Sequence, residues 1–112
     1  MPNRIMISQP MAGKSYEEIV EKRDSVKKSL EAVGYEVVDS LFKNGYYGLE
    51  MLDSIGVTNV PLFYLAKSLE IMSKCETVYF CNGWHLARGC IIEHKAAKLY
   101  GLKIIYENHY GV

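Results

Sequence analysis

The chain has 112 residues, 49% hydrophobic and 23% charged, with 13 Lys and Arg balancing 13 Asp and Glu. That is ordinary globular composition for one domain, long enough to bury a core without disulfides or metals and too apolar for disorder. Zero formal charge argues against a nucleic-acid polymer as partner, and no apolar run approaches the roughly 20 residues of a membrane span.

The first strand is expected at Ile5-Met6-Ile7, a short apolar run. Ser8-Gln9-Pro10-Met11-Ala12-Gly13-Lys14-Ser15 follows as a loop punctuated by Pro10 and Gly13. Ser15 and Glu18 have capping-box spacing, which predicts a helix over residues 16–33. Ile19, Val26, Leu30 and Val33 form its apolar stripe, and Gly34 supplies the stop. Tyr35-Glu36-Val37-Val38-Asp39 reads as the second strand, completing a βαβ unit and implying a parallel sheet.

Residues 40–59 give the weakest pattern. They hold an aromatic loop, Asn44-Gly45-Tyr46-Tyr47-Gly48, and a short helix over 49–55. Pro61 suits the first turn of a further helix ending near Lys74, with Leu62, Leu65, Ala66, Leu69 and Met72 as its stripe. Thr77-Val78-Tyr79-Phe80-Cys81 is the third strand and Asn82-Gly83-Trp84-His85 a loop. A helix then runs from Ala87 or Arg88 to Tyr100, with Ile92, Ala96 and Leu99 toward the core and Gly101 closing it. Leu102-Lys103-Ile104-Ile105-Tyr106 is the fourth strand. The order predicts a single domain, a small doubly wound α/β fold with a parallel sheet flanked by helices. Ligands in such sheets sit beyond the carboxyl ends of the strands, which nominates residues 8–14 and 82–89.

Gly13-Lys14-Ser15 resembles the end of a nucleotide-binding P-loop, but the required earlier glycine is Ser8, so a triphosphate loop is not expected. A single phosphate or sugar hydroxyl held by helix amides beside Lys14, and a plain turn with an exposed lysine, are both open readings. The second loop is richer. Gly89 permits close backbone approach, and Arg88 adds charge where a helix end is already positive. Glu93, four residues after Gly89, falls on the same face and is placed to act as nucleophile or base. The alternative is a solvated glutamate. Trp84 suits either stacking on a base or sugar, or plugging the sheet edge.

Cys75, Cys81 and Cys90 are odd in number and lack metal spacing, and are read as reduced, intracellular and buried. His85 and His94 have no third ligand, so they read as surface histidines; no metal and no cofactor is expected. Cys90 and His94 at i, i+4 lack an orienting acid, so Cys90 reads as a buried thiol. The start Met-Pro-Asn-Arg shows no signal peptide, and a cytoplasmic location is expected.

Four blocks carry a family likeness. They are Ser8-Gln9-Pro10-Met11; Gly34-Tyr35-Glu36-Val37-Val38; Cys75-Glu76-Thr77-Val78; and Gly83-Trp84, Arg88-Gly89, Glu93-His94 with Ala97-Lys98-Leu99-Tyr100-Gly101-Leu102. In this order they resemble the nucleoside 2-deoxyribosyltransferase-like superfamily, and within it the short DUF4406-type branch. The resemblance implies a flavodoxin-like sheet and cleavage of a nucleoside or nucleotide N-glycosidic bond. It places the catalytic glutamate at Glu93, which attacks the anomeric carbon. It places the base and sugar against Ser8, Gln9, Pro10 and Met11, with Gly89 at the helix mouth. Gly13, Lys14, Asn82, Gly83, Trp84 and Arg88 complete the expected substrate contacts. Three positions depart from the active transferases: Met6 replaces a tyrosine, Ser68 stands nearest to an aspartate, and Ala87 replaces a serine or aspartate. Arg88 points to a nucleoside 5′-monophosphate rather than a free nucleoside. A non-catalytic binder of a nucleotide-like metabolite is the alternative, and a domain with a vestigial cleft is a third. The superfamily also implies a homo-oligomer, dimer or tetramer, with the tail Tyr106-Glu107-Asn108-His109-Tyr110 reaching a neighbouring subunit. Of the nine tyrosines, Tyr35, Tyr79, Tyr106, Tyr16 and Tyr100 are expected in core or interface packing, Tyr46 and Tyr47 in a loop that covers a base, Tyr64 on the helix beneath that loop, and Tyr110 at the close of the tail.

Overall fold

The computed structural model of the chain describes residues 3–38 and 49–107. Strands β1 (Asn3–Ser8), β2 (Tyr35–Val38), β3 (Thr77–Phe80) and β4 (Lys103–Tyr106) form one parallel sheet in the order β2-β1-β3-β4. That is the flavodoxin-like order of a doubly wound sheet. Ile5, Met6, Ile7 and Ser8 are all at most 1% exposed, as a central parallel strand covered on both faces requires. The expected aromatic loop, including Tyr46 and Tyr47, lies outside the described residues, as do Asp39 and the tail beyond Glu107.

Alternation along β1 divides the core. Ile5 and Ile7 face Val26 and Leu30 of α1 (Tyr16–Ala32), together with Cys81. Met6 faces the other way, onto Met72 of α3 (Val60–Met72) and Ala97 of α4 (Arg88–Leu99), with Val78 and Phe80. The caps follow the sequence. Ser15 Oγ accepts from the Glu18 amide at 3.1 Å, closing the capping box, and Gly34 turns the chain at φ +101°. Asn59 Oδ1 caps α3 by accepting from the Leu62 amide, and Pro61 occupies its first turn. A short helix, α2 (Leu49–Ser54), precedes it.

The helix faces depart from the sequence pattern. Val33, Leu62 and Leu99 are 73%, 58% and 69% exposed, and Ile92 is exposed too. On α4 the buried face is instead Cys90, Glu93 and Ala97, turned about 100° from the Ile92–Leu99 stripe. Two of the three are small, and the third, Glu93, is tied to Ser8 at the end of β1. On α1 the buried stripe is Ile19, Arg23, Val26 and Leu30, with an arginine where the pattern called for a hydrophobe. Tyr16 and Tyr100, expected in core or interface packing, are exposed, so neither packs in the core.

Candidate functional site

The chain leaves β1 toward α1 on one face of the sheet and leaves β3 toward α4 on the other. Loops diverging between adjacent strands open a crevice at their carboxyl ends. A cavity of about 630 Å³ occupies it. Its walls come from Gln9, Met11 and Ala12 after β1, from Pro61, Tyr64, Leu65 and Ser68 on α3, and from residues 86–90 at the start of α4. Glu93 forms part of the lining, one turn inside α4.

Glu93 is not solvated: its residue is 8% exposed. Ser8 Oγ donates to Glu93 Oε1 at 2.6 Å, joining the end of β1 to α4. Burial pushes the Glu93 carboxyl above the usual carboxylate range, while the hydroxyls of Ser8 and Ser68 and the charge of Arg23 pull the other way. The site therefore holds a partly desolvated carboxylate whose ionised form is supported by fixed donors. Cys90 also lines the cavity, and burial pushes its thiol to about 11, so it stays protonated and unreactive. All three cysteines are buried and free.

At the cavity mouth, Arg88 opens α4 and its side chain is exposed. The residue before it, Ala87, makes no side-chain cap on the first turn of α4. The start of α1 differs, because Ser15 already accepts from one of its amides. The anion reading of Lys14 is thereby the weaker of the two.

The structure brings Gln9, Met11, Arg88, Gly89 and Glu93 together around one cavity, with Ser8 buried behind its wall and bonded to Glu93. Pro10, Lys14 and Asn82 instead line a smaller hollow of about 280 Å³ with Lys22 and Glu107, separated from the first by Gln9, which touches both. There Glu107 accepts from the Asn82 amide at 2.8 Å and pairs with Lys22. Gly13 lines neither hollow. Gly83 takes φ +88° to enter a single 3₁₀ turn, Trp84–Leu86. Trp84 does not line the cavity. It stacks on His94 with ring centroids 4.0 Å apart, and both pack with Phe80 and Tyr106 at the sheet edge.

His94 is thus not a surface histidine: it is half-buried and hydrogen-bonded to the Tyr106 hydroxyl at 2.6 Å. His85 is exposed as expected. Among the described residues no three His, Cys, Asp or Glu side chains gather as a metal site, and no helix is long and apolar enough to cross a membrane.

Tyr64 and Ser68, one turn apart on α3, reach the cavity because α3 packs beside α4. No sequence pattern places Tyr64 there, whereas the family likeness marks Ser68 as the position nearest an aspartate. Arg23 did leave a signal: it stands four residues after Ile19 and three before Val26, inside the apolar stripe.

Residues 3–106 match the family described as a domain of unknown function, DUF4406. No curated protein and no solved structure matches the chain.

Proposed function

The chain belongs to the DUF4406 family, and from that premise we propose that it cleaves the N-glycosidic bond of a nucleoside or nucleotide, or transfers its deoxyribosyl group, with Glu93 as nucleophile. The observation that carries this is the buried Glu93 carboxylate, fixed by Ser8 at 2.6 Å in the lining of a nucleoside-sized cavity. The motif likeness to the nucleoside 2-deoxyribosyltransferase-like superfamily supports the same residue in the same role.

The chemistry follows from the geometry. A Glu93 oxygen attacks C1′ of the sugar, the C1′–N bond breaks, and its electron pair leaves with the base. The base then takes up a proton. The glycosyl ester is resolved when water, or a nitrogen of a second base, attacks C1′ and the carboxylate departs. A carboxylate also stabilises the oxocarbenium character that builds up between these steps. Arg88 and the uncapped amides of α4 favour a ligand carrying a phosphate. Among the described lining residues, Glu93 is the single carboxylate. That observation supports the second reading, a binder of the same ligand class, because no second acid among the described residues lines the cavity to protonate the departing base.

Exposed Leu62, Ile92 and Leu99 on α3 and α4 support a homo-oligomer. The three free, buried thiols suit the cytoplasm. The function is tested by incubating the protein with a panel of 2′-deoxynucleosides and their 5′-monophosphates and resolving free base by chromatography. Release of base from at least one, lost in Glu93→Gln, is the expected result. Ligand-induced thermal stabilisation without base release would favour the binder.

A further inference from the structure

Arg23 heads the fully buried side chains of the described residues at 2% exposure, yet it comes from an apolar helix stripe. Burying a guanidinium is costly unless its donors are used, so its partners carry information. Its Nε donates to Gln9 Oε1 at 3.2 Å, and a terminal nitrogen donates to the Ile7 carbonyl at 3.4 Å. Gln9 Nε2 in turn donates to the Ile19 carbonyl at 3.0 Å. These bonds fix the Gln9 amide: a guanidinium only donates and a carbonyl only accepts, so the oxygen must face Arg23. Ile7 and Gln9 flank Ser8. Side chains alternate along a strand, so Ser8 points to the opposite face of the sheet from Ile7, toward Glu93.

We propose that Arg23 is a positioning residue, a clamp reaching from α1 that grips the chain on both sides of Ser8 and so keeps the Ser8 hydroxyl aimed at Glu93. The clamp rests on the reading of Glu93 as the working carboxylate. It links the two faces of the sheet at the point where the crevice opens, and it holds Gln9 in the cavity wall at the same time. Its charge acts in the same sense as its geometry. Among the described residues, the groups around Glu93 are Ser8 from β1, Ser68 from α3, Cys90 on its own helix and Arg23 from α1, and of these Arg23 is the one that brings positive charge.

The test is a carbon-13 NMR titration of the Glu93 carboxyl, assigned by its disappearance in Glu93→Gln, which needs no substrate. The midpoint is expected to rise in Arg23→Gln and to return toward the wild-type value in Arg23→Lys, with circular dichroism showing the fold intact. An unmoved midpoint in folded Arg23→Gln, or a lysine variant no different from the glutamine variant, overturns the clamp. Gln9→Ala leaves the guanidinium on the Ile7 carbonyl and supplies a second route should Arg23→Gln not fold. It is expected to raise the midpoint as well, and an unchanged midpoint there overturns the proposal too. Wild-type protein that releases no base from any nucleotide would defeat the functional reading alone, because the titration decides the clamp separately.

Discussion

The Ser8 hydroxyl and the Glu93 carboxylate meet at 2.6 Å although 85 residues of chain separate them. Neither is exposed, and each comes from an element whose own packing fixes it: Ser8 ends the most buried strand, and Glu93 sits between Cys90 and Ala97 on the buried face of α4. Ser8→Ala removes a donor from a buried carboxylate. The variant should lose about 1–3 kcal/mol of stability at neutral pH, the cost of stripping a partner from a buried charged group. Its kcat/KM for base release should fall by about tenfold or more. Thermal melts and a steady-state assay check both.

The pH dependence follows from the direction of the Glu93 shift. Burial lifts its folded value above the ordinary 4.5, despite the opposing Ser8, Ser68 and Arg23. The native state therefore holds this proton more tightly than the unfolded chain. Its contribution to stability is full below the unfolded value and is lost as pH rises through the folded one. Glu93→Gln keeps the shape without the titration, so its melting temperature should overtake that of wild type as pH goes from acid to neutral. A nucleophile must be ionised, so the acid limb of kcat/KM should share the same midpoint. A gap between the two proteins that stays constant with pH would contradict the reading.

Arg88 is expected to act in binding rather than in chemistry. Arg88→Ala should weaken recognition of 5′-monophosphates by about tenfold to a hundredfold, the worth of a charge-assisted contact, with kcat little changed. Unphosphorylated nucleosides should be indifferent to it. Parallel KM measurements on a nucleoside and its monophosphate make the comparison.

Trp84 is the chain's single tryptophan and so reports on its own neighbour. Burial, then the charge of Lys98, hold His94 below its ordinary 6.5. The neutral ring that stacks on Trp84 is thus the form the fold prefers, and that preference stabilises the fold above the unfolded value and fades as pH falls. Trp84 emission should show a titration centred below 6.5 that disappears in His94→Phe. Since the Trp84 turn leads into Leu86, Ala87 and Arg88, loss of the stack should also loosen ligand binding.

Much of the architecture was legible because local signals agree with it. The capping box at Ser15, the left-handed turn at Gly34, Pro61 in a first turn and four short β-rich runs all specify elements without tertiary help. The helix faces were less legible. On α4 both Ile92–Ala96–Leu99 and Cys90–Glu93–Ala97 recur at helical spacing, and hydrophobicity favours the wrong one, because a glutamate marks the buried face. On α1 an arginine, Arg23, likewise takes a place in the buried stripe, and its spacing from Ile19 and Val26 is the signal that could have found it. A functional site places polar groups where a core pattern asks for apolar ones, so pattern reading errs most at the site itself. The Trp84–His94 stack and the arrival of Ser68 beside Glu93 depend on which helices lie side by side, and no spacing within one helix encodes that.

The most direct test of Glu93 as nucleophile is to trap its ester. A 2′-fluorinated arabinonucleoside, as free nucleoside and 5′-monophosphate, slows both formation and resolution of a glycosyl intermediate, and resolution can become the slower step. Intact-mass spectrometry should then show one added glycosyl unit, and peptide mapping should place it on Glu93, with none on Glu93→Gln. Base release proceeding without any adduct, or an adduct mapped to another residue, would contradict the account.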